Sequence, residues 1–180
     1  MATFEVIEGP VRSGLFYARR AFRASAFALL LCLTCAASAF AEELRGRVVG
    51  ITDGDTLTLL EGGNRQIRIR LAEIDTPERR QPYGDRARQA LSDLAFGKAA
   101  RVEVVDTDRY GRTVGRVRVG GHDVNAELVR SGAAWVYRQY SRDPELLVLE
   151  DAARTARRGL WALPEADRMP PWEWRAARRR

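Results

Sequence analysis

Five short runs between Leu44 and Gly120 alternate apolar with polar residues, and they restrict the fold more than any other feature of the chain. "RGRVVGIT" and "DTLTLLEG" are separated by Asp53-Gly54, and "RQIRIRLA" follows the turn Glu61-Gly62-Gly63-Asn64. "RVEVVDTD" and "TVGRVRVG" are joined by Arg109-Tyr110-Gly111-Arg112. Alternation with a period of two marks a strand with one buried face. Five such strands in a small chain must bury those faces against one another, which favours a closed or nearly closed barrel.

Helical spacing appears between and after the strands. In "GDRARQALSDLAFG" the residues Ala87, Ala90, Leu91 and Leu94 recur on one face, and Gly97 supplies a stop. "DVNAELVRSG" reads as a short helix with Asp123 or Asn125 as its cap and Gly132 at its end. "AAWVY" is a brief extended piece, and "DPELLVLEDAARTARRG" is a helix capped by Asp143, with Pro144 in its first turn. Three strands, a helix, two strands and two helices give an α+β fold. The economical form is a five-stranded Greek-key barrel of the oligonucleotide-binding type with about three α-helices. Residues 42–164 make up this domain, and 165–180, ending in "RMPPWEWRAARRR", are expected to be a basic tail at the surface or in solvent.

The first 41 residues have a different character. Arg19, Arg20 and Arg23 precede the apolar run "AFALLLCLTCAA", and Ala39-Phe40-Ala41 fits a cleavage site before Glu42. A basic region, an apolar core and such a site describe an export signal, whereas about a dozen apolar residues fall short of the roughly 20 needed to cross a bilayer as a helix. Residues 1–41 are therefore expected to be removed, with a secreted or periplasmic product, or a membrane-anchored one if the signal stays. Both cysteines, Cys32 and Cys35, would leave with it, so the mature chain has no disulfide or thiol chemistry. The net charge of +6 becomes +4 after cleavage, 26 basic residues against 22 acidic. That balance suits a nucleic-acid partner without establishing one.

Composition removes most catalytic schemes. His122, in "GGHDV", is the only histidine. Histidine-paired hydrolysis, serine–histidine triads, cysteine nucleophiles and zinc sites of His and Cys all lack their parts. A base near neutral pH must be a carboxylate, Lys98, a tyrosine or a metal-bound hydroxide. The suggestive acids are Asp53 and Asp55 in "TDGDT", and Asp75 and Glu78 in "IDTPE". Two aspartates with a backbone carbonyl and waters would suit a hard cation such as Ca2+. Arg70 lies five residues before Asp75, and Arg112 follows Gly111 in a tight turn. Each would supply the positive charge that a phosphoryl transition state requires. Pro77 stiffens the approach to Glu78, which is expected to keep that carboxylate over a water instead of collapsing onto an arginine.

These pieces together resemble the staphylococcal-nuclease-like (thermonuclease) family. The resemblance rests on "DGDT", "RLAEIDTPE", "DRYGR", "NAELVRSGAAWVY" and "RRGLW", in that order, from about Val48 to Trp161. It implies a thermonuclease-like hydrolase that cleaves DNA and RNA with Ca2+ and leaves 3′-phosphate ends. Asp55, Asp75 and the Thr76 carbonyl would hold the ion, and Glu78 would serve as general base. Arg70 and Arg112 would clamp the phosphate, and Arg109, Tyr110, Trp135 and Tyr137 would hold the nucleotide. Single strands are the expected substrate form and a monomer the expected state. Arg109 stands where the family's lysine is familiar and Trp135 where its tyrosine is, which bears on substrate preference. Two rival readings are a barrel that binds nucleic acid without cleaving it, and a secreted domain whose acids bind Ca2+ for stability alone.

Overall fold

The alternating runs do form strands. The computed structural model describes residues 42–179, so the expected export signal lies outside the described residues. The strands are β1 (Glu43–Ile51), β2 (Thr56–Glu61), β3 (Arg65–Leu71), the two-residue β4 (Ile74–Asp75), β5 (Ala99–Thr107), β6 (Thr113–Val119), and the two-residue β7 (His122–Asp123) and β8 (Trp135–Val136). β1 pairs antiparallel with β2 and β5, β2 with β3, and β5 with β6. A parallel pairing of β3 with β6, Ile69 opposite Thr113 and Leu71 opposite Gly115, closes the five long strands into a barrel.

Register explains the core. Leu57 faces Ile69 and Leu59 faces Ile67, while Thr56 faces Arg70 and Thr58 faces Arg68. One residue in two therefore enters the barrel, where Val48, Leu57, Leu59, Ile69, Val102 and Val117 are fully buried. Each such side chain contributes about 1.5–3 kcal/mol by leaving water.

The helices are α1 (Gly84–Ala95), α2 (Val124–Arg130), α3 (Pro144–Thr155) and α4 (Pro171–Ala177). Ala87, Leu91 and Ala95 of α1 are buried, as their spacing requires. Asp123 caps α2 by accepting from the Ala126 amide at 3.0 Å. Asn125 does not cap. It is buried, accepts from the Val117 amide at 3.1 Å and donates to the Ala72 carbonyl at 2.9 Å, tying α2 to the barrel. Asp143 caps α3 by accepting from the Glu145 amide at 2.8 Å, with Pro144 in the first turn.

The C-terminal residues differ from expectation. Four α-helices, not about three, stand among the described residues, and 165–179 are not a solvated tail. A 3-10 turn over Glu165–Asp167 leads into α4, whose first residue is Pro171. Proline in the first turn of a helix costs no hydrogen bond. The Trp172 indole then stacks on Tyr137, with ring centroids 5.3 Å apart and planes 3° from parallel, and meets Trp135 edge-on at 6.0 Å. Aromatic contact supplies what the sequence pattern of this segment did not announce. Among the described residues no helix is long and apolar enough to cross a membrane.

Candidate active site

Strand ends deliver the acids. Asp55 closes the turn from β1 into β2, where Gly54 lets the backbone press against Thr76. A Cβ at Gly54 would fall 2.6 Å from the Thr76 hydroxyl. The Leu71 amide donates to the Asp55 carbonyl at 2.8 Å, fixing the turn to β3. Asp55 Oδ2 accepts from the Thr76 amide at 2.9 Å and the Thr76 hydroxyl at 3.0 Å. Asp75, in β4, stands opposite Trp135 of β8 and is 1% exposed.

Arg70 joins the two aspartates. It projects from the outer face of β3, with Nη1 3.0 Å from Asp55 Oδ2 and Nη2 donating to Asp75 Oδ1 at 2.9 Å. Nη1 also donates to the Leu71 and Ile74 carbonyls at 3.1 Å. One guanidinium thus spans the strand end and the start of the acid loop. Four polar contacts of this kind hold a charged group in one orientation.

Arg112 is aimed by its own turn. Gly111, at φ 75°, adopts the left-handed conformation that lets the chain reverse between β5 and β6. Asp108 accepts from the Tyr110 amide at 2.9 Å, the Arg112 amide at 3.0 Å and Arg112 Nε at 2.7 Å. Arg112 Nη1 reaches the Thr56 hydroxyl at 3.4 Å, which sets it beside the strand that follows Asp55. Burial works to raise the Asp108 carboxyl, but these hydrogen bonds and the Arg112 charge outweigh it and hold it below the usual carboxylate range.

The Glu78 loop is tightly folded. The Glu78 carbonyl accepts from the Gln81 amide at 2.8 Å, and a Cβ on Gly84 would lie 2.0 Å from it. The stiff loop nevertheless does not keep Glu78 clear of arginines. Arg175 of α4 donates to Glu78 Oε1 at 2.7 Å, to Asp75 Oδ2 at 2.7 Å and to Asp75 Oδ1 at 3.2 Å. The reason is charge. Burial raises the Asp75 carboxyl above its ordinary value and the Asp55 charge adds to that, while Arg175 and Arg70 oppose it. Asp53 is pushed up to about 6, by burial first and then by the Asp55 charge. A buried acidic pit attracts whatever cation can reach it.

A cleft of about 840 Å³ brings these groups together. Asp55, Asp75, Thr76 and Glu78 line it with Arg70 and Arg112, so six residues singled out from sequence converge. Arg109, Tyr110 and Tyr137 line it too, and Tyr110 is 75% exposed. Trp135 is not part of the cleft lining; it packs edge-on against Trp161 with centroids 4.3 Å apart and meets Trp172, which in turn stacks on Tyr137. Sequence reasoning missed Asp108, Tyr140, Trp172 and Arg175. Asp108 carried a signal, since an aspartate opening an "DRYGR" turn is placed to bind its amides. Arg175 lies 100 residues beyond Asp75 and carried none.

Among the described residues no group of three or more acids, histidines or cysteines is arranged to cage an ion. Two carboxylates with a backbone oxygen still fit a hard cation that takes its remaining ligands from water and phosphate. A family model for staphylococcal nuclease homologues matches residues 68–163. The chain is 47% identical over 161 residues to Protein ParB of Escherichia coli, covering 83% of this chain and 89% of that protein. It is 46% identical over 134 residues to an uncharacterized endonuclease of Escherichia coli O157:H7, covering 74% and 86%. It is 44% identical over 169 residues to a micrococcal nuclease of Shigella flexneri, covering 87% and 93%.

Proposed function

This chain belongs to the family of staphylococcal nuclease homologues, and on that premise we propose that it is a Ca2+-dependent endonuclease that hydrolyses DNA and RNA to 3′-phosphate ends. The protein is a nuclease, a hydrolase whose substrate is nucleic acid. Of the two rival readings, neither the non-cleaving barrel nor the Ca2+-stabilised domain agrees with that family. The observation that carries the finer reading is the convergence of Asp55, Asp75, Glu78, Arg70 and Arg112 in one cleft.

Glu78 takes a proton from a water, and the resulting hydroxide attacks phosphorus in line with the bond to the 5′-oxygen. That bond breaks, the 5′-oxygen takes a proton from solvent, and the phosphate stays on the 3′ side. Arg70 and Arg112 hold the phosphate from two directions and stabilise the charge that builds on its oxygens. Asp55, Asp75 and the Thr76 carbonyl would hold Ca2+, which supplies further positive charge to the phosphate when bound. Arg175 holds Glu78 Oε1, so the water's proton goes to Glu78 Oε2, or to Oε1 once Arg175 withdraws. Arg109, Tyr110 and Tyr137 bind the nucleotide, with Trp172 stacked on Tyr137. Bases must be unstacked to reach these aromatic faces, which favours single strands.

Cleavage of single-stranded DNA and RNA, with Ca2+ or with chelator, tests this reading. The products should carry 3′-phosphates, and Glu78→Gln should be slower by about 10²–10⁴-fold. Undiminished cleavage in chelator, or by the variant, refutes it. The monomer expectation is checked by sedimentation. Export of the chain, proposed from residues 1–41, is checked by the N-terminal sequence of the secreted protein, which should start at Glu42.

A further inference from the structure

Helix α4 and its C-terminal cap carry two sets of side chains. Trp172 and Arg175 line the catalytic cleft, whereas Trp174 and Arg178 line a second cavity of about 520 Å³ with Arg79 and Arg80 of the acid loop. Arg178 caps the end of α4 in helical backbone conformation, four residues after Trp174 and so on the same side. The Arg178 guanidinium lies 4.4 Å from the Trp174 ring centroid. Glu78, Arg175 and Arg179 line both cavities, so the groove opens directly off the cleft beside the proposed base. Glu78 is the only acid in the lining of the groove, and it already accepts from Arg175 at 2.7 Å. Arg79, Arg80, Arg178 and Arg179 thus meet no further carboxylate there. The groove lies partly beyond residue 163, where the family match ends.

We propose that this groove is a subsite for the polynucleotide backbone, taking phosphates that flank the scissile one. The proposal rests on the nuclease reading and adds to it where the strand runs. Three observations carry it. Excess arginine charge suits phosphate, which a guanidinium fork can grip through two hydrogen bonds. The Trp174 indole gives an apolar floor for a sugar or base. Shared lining residues make the groove continuous with the cleft, so a strand bound at Arg70 and Arg112 extends into it without leaving the protein surface. An acidic peptide would satisfy the charge but gain nothing from that continuity.

The test uses the full chain and labelled single-stranded oligonucleotides from 3 to 12 nucleotides, in chelator so that they persist. The variant is Arg80→Gln/Arg178→Gln, both exposed, and the charge control is Arg68→Gln/Arg88→Gln, exposed arginines that line neither cavity. The wild type should bind the longer strands more tightly, and the groove variant should lose most of that gain. Affinity for the 12-mer should fall on the order of fivefold. The slope of log K against log salt should flatten by about 1.4, two contacts at about 0.7 each. A groove variant that matches the control in slope and length dependence overturns the proposal, as does equal competition by polyglutamate. Adding Ca2+ to the same preparations separates the two readings. No cleavage of the 12-mer by wild type counts against the nuclease mechanism, whereas cleavage with an unchanged KM in the groove variant counts against the groove alone.

Discussion

Replacing Arg175 by glutamine removes one positive charge from beside Asp75 and Glu78 while leaving α4 its aromatic anchor on Tyr137. Three hydrogen bonds are lost, two to Asp75 and one to Glu78. The Asp75 side chain is 1% exposed, but those of Arg175 and Glu78 are 36% and 40% exposed. A charged hydrogen bond shielded from water contributes about 1.5–3 kcal/mol, and a wet ion pair about 0.2–1 kcal/mol. The Asp75 contact lies between these limits because one partner is wet, at about 1–2 kcal/mol. A cation held by Asp55 and Asp75 needs the same carboxylate oxygens, so binding it must break that contact. At the proposed site, wild type would therefore bind Ca2+ against a resident competitor. Calorimetric titration should show Arg175→Gln binding Ca2+ about 5- to 30-fold more tightly. In chelator the variant should melt lower, and the rise in melting temperature on adding Ca2+ should be larger than in wild type. Unchanged or weaker Ca2+ binding would refute the competition, and with it the assignment of Asp75 as a ligand.

Other substitutions probe the supports of the site and fold. Asp108→Ala frees the Arg112 side chain and should lower kcat by about 10- to 100-fold, less than the roughly 10²–10³-fold expected for Arg112→Ala, since Asp108 acts only through it. Steady-state kinetics on one oligonucleotide compares the two. Asn125→Ala leaves the Val117 amide and the Ala72 carbonyl without partners inside the protein and should cost about 2–4 kcal/mol in urea unfolding. Asp143→Ala removes the α3 cap and should cost about 1–2 kcal/mol at pH 7. Burial works to raise the Asp143 carboxyl, but the hydrogen bond from Arg116, the Glu145 amide and the Arg116 charge outweigh it and hold it low. A depressed carboxylate stabilises the fold above its unfolded value, near 3.9, and that stability is lost as pH falls through the lower folded value. The gap between wild type and Asp143→Ala should therefore close in acid below about pH 4, and a gap that persists there contradicts this origin.

What the sequence made legible follows from distance along the chain. Strand alternation and helix caps are local, so Leu57, Ile69, Asp123 and Asp143 occupy the roles their neighbours imply. The closing pair β3–β6 is not local, yet it follows once five half-buried strands must hide their faces. The acids and arginines of the cleft were readable because each sits in a turn or at a strand end whose shape its own residues dictate. Trp135 was read as a nucleotide contact but is not part of the cleft lining, since β8 sets it against Trp161 and Trp172.

Glu78 and the C-terminal segment show where local reading stops. Pro77 does stiffen the loop, but stiffness controls where a carboxylate is, not which cation reaches it. Buried Asp75 and its neighbours make a negative pit that one arginine, Arg70, does not neutralise. Any arginine brought within reach by the fold gains from entering. Trp172 brings one, because docking its indole on Tyr137 places Arg175, one helical turn later, over Asp75 and Glu78. The "PPWEWRAARRR" ending looked like solvated charge because the partners of Trp172 and Arg175, namely Tyr137, Asp75 and Glu78, all lie outside the segment. The test is Trp172→Ala. If aromatic docking delivers Arg175, this variant should tighten Ca2+ binding as Arg175→Gln does, and the double variant should add little to either single one. Additive effects would mean that Arg175 finds the acids without Trp172.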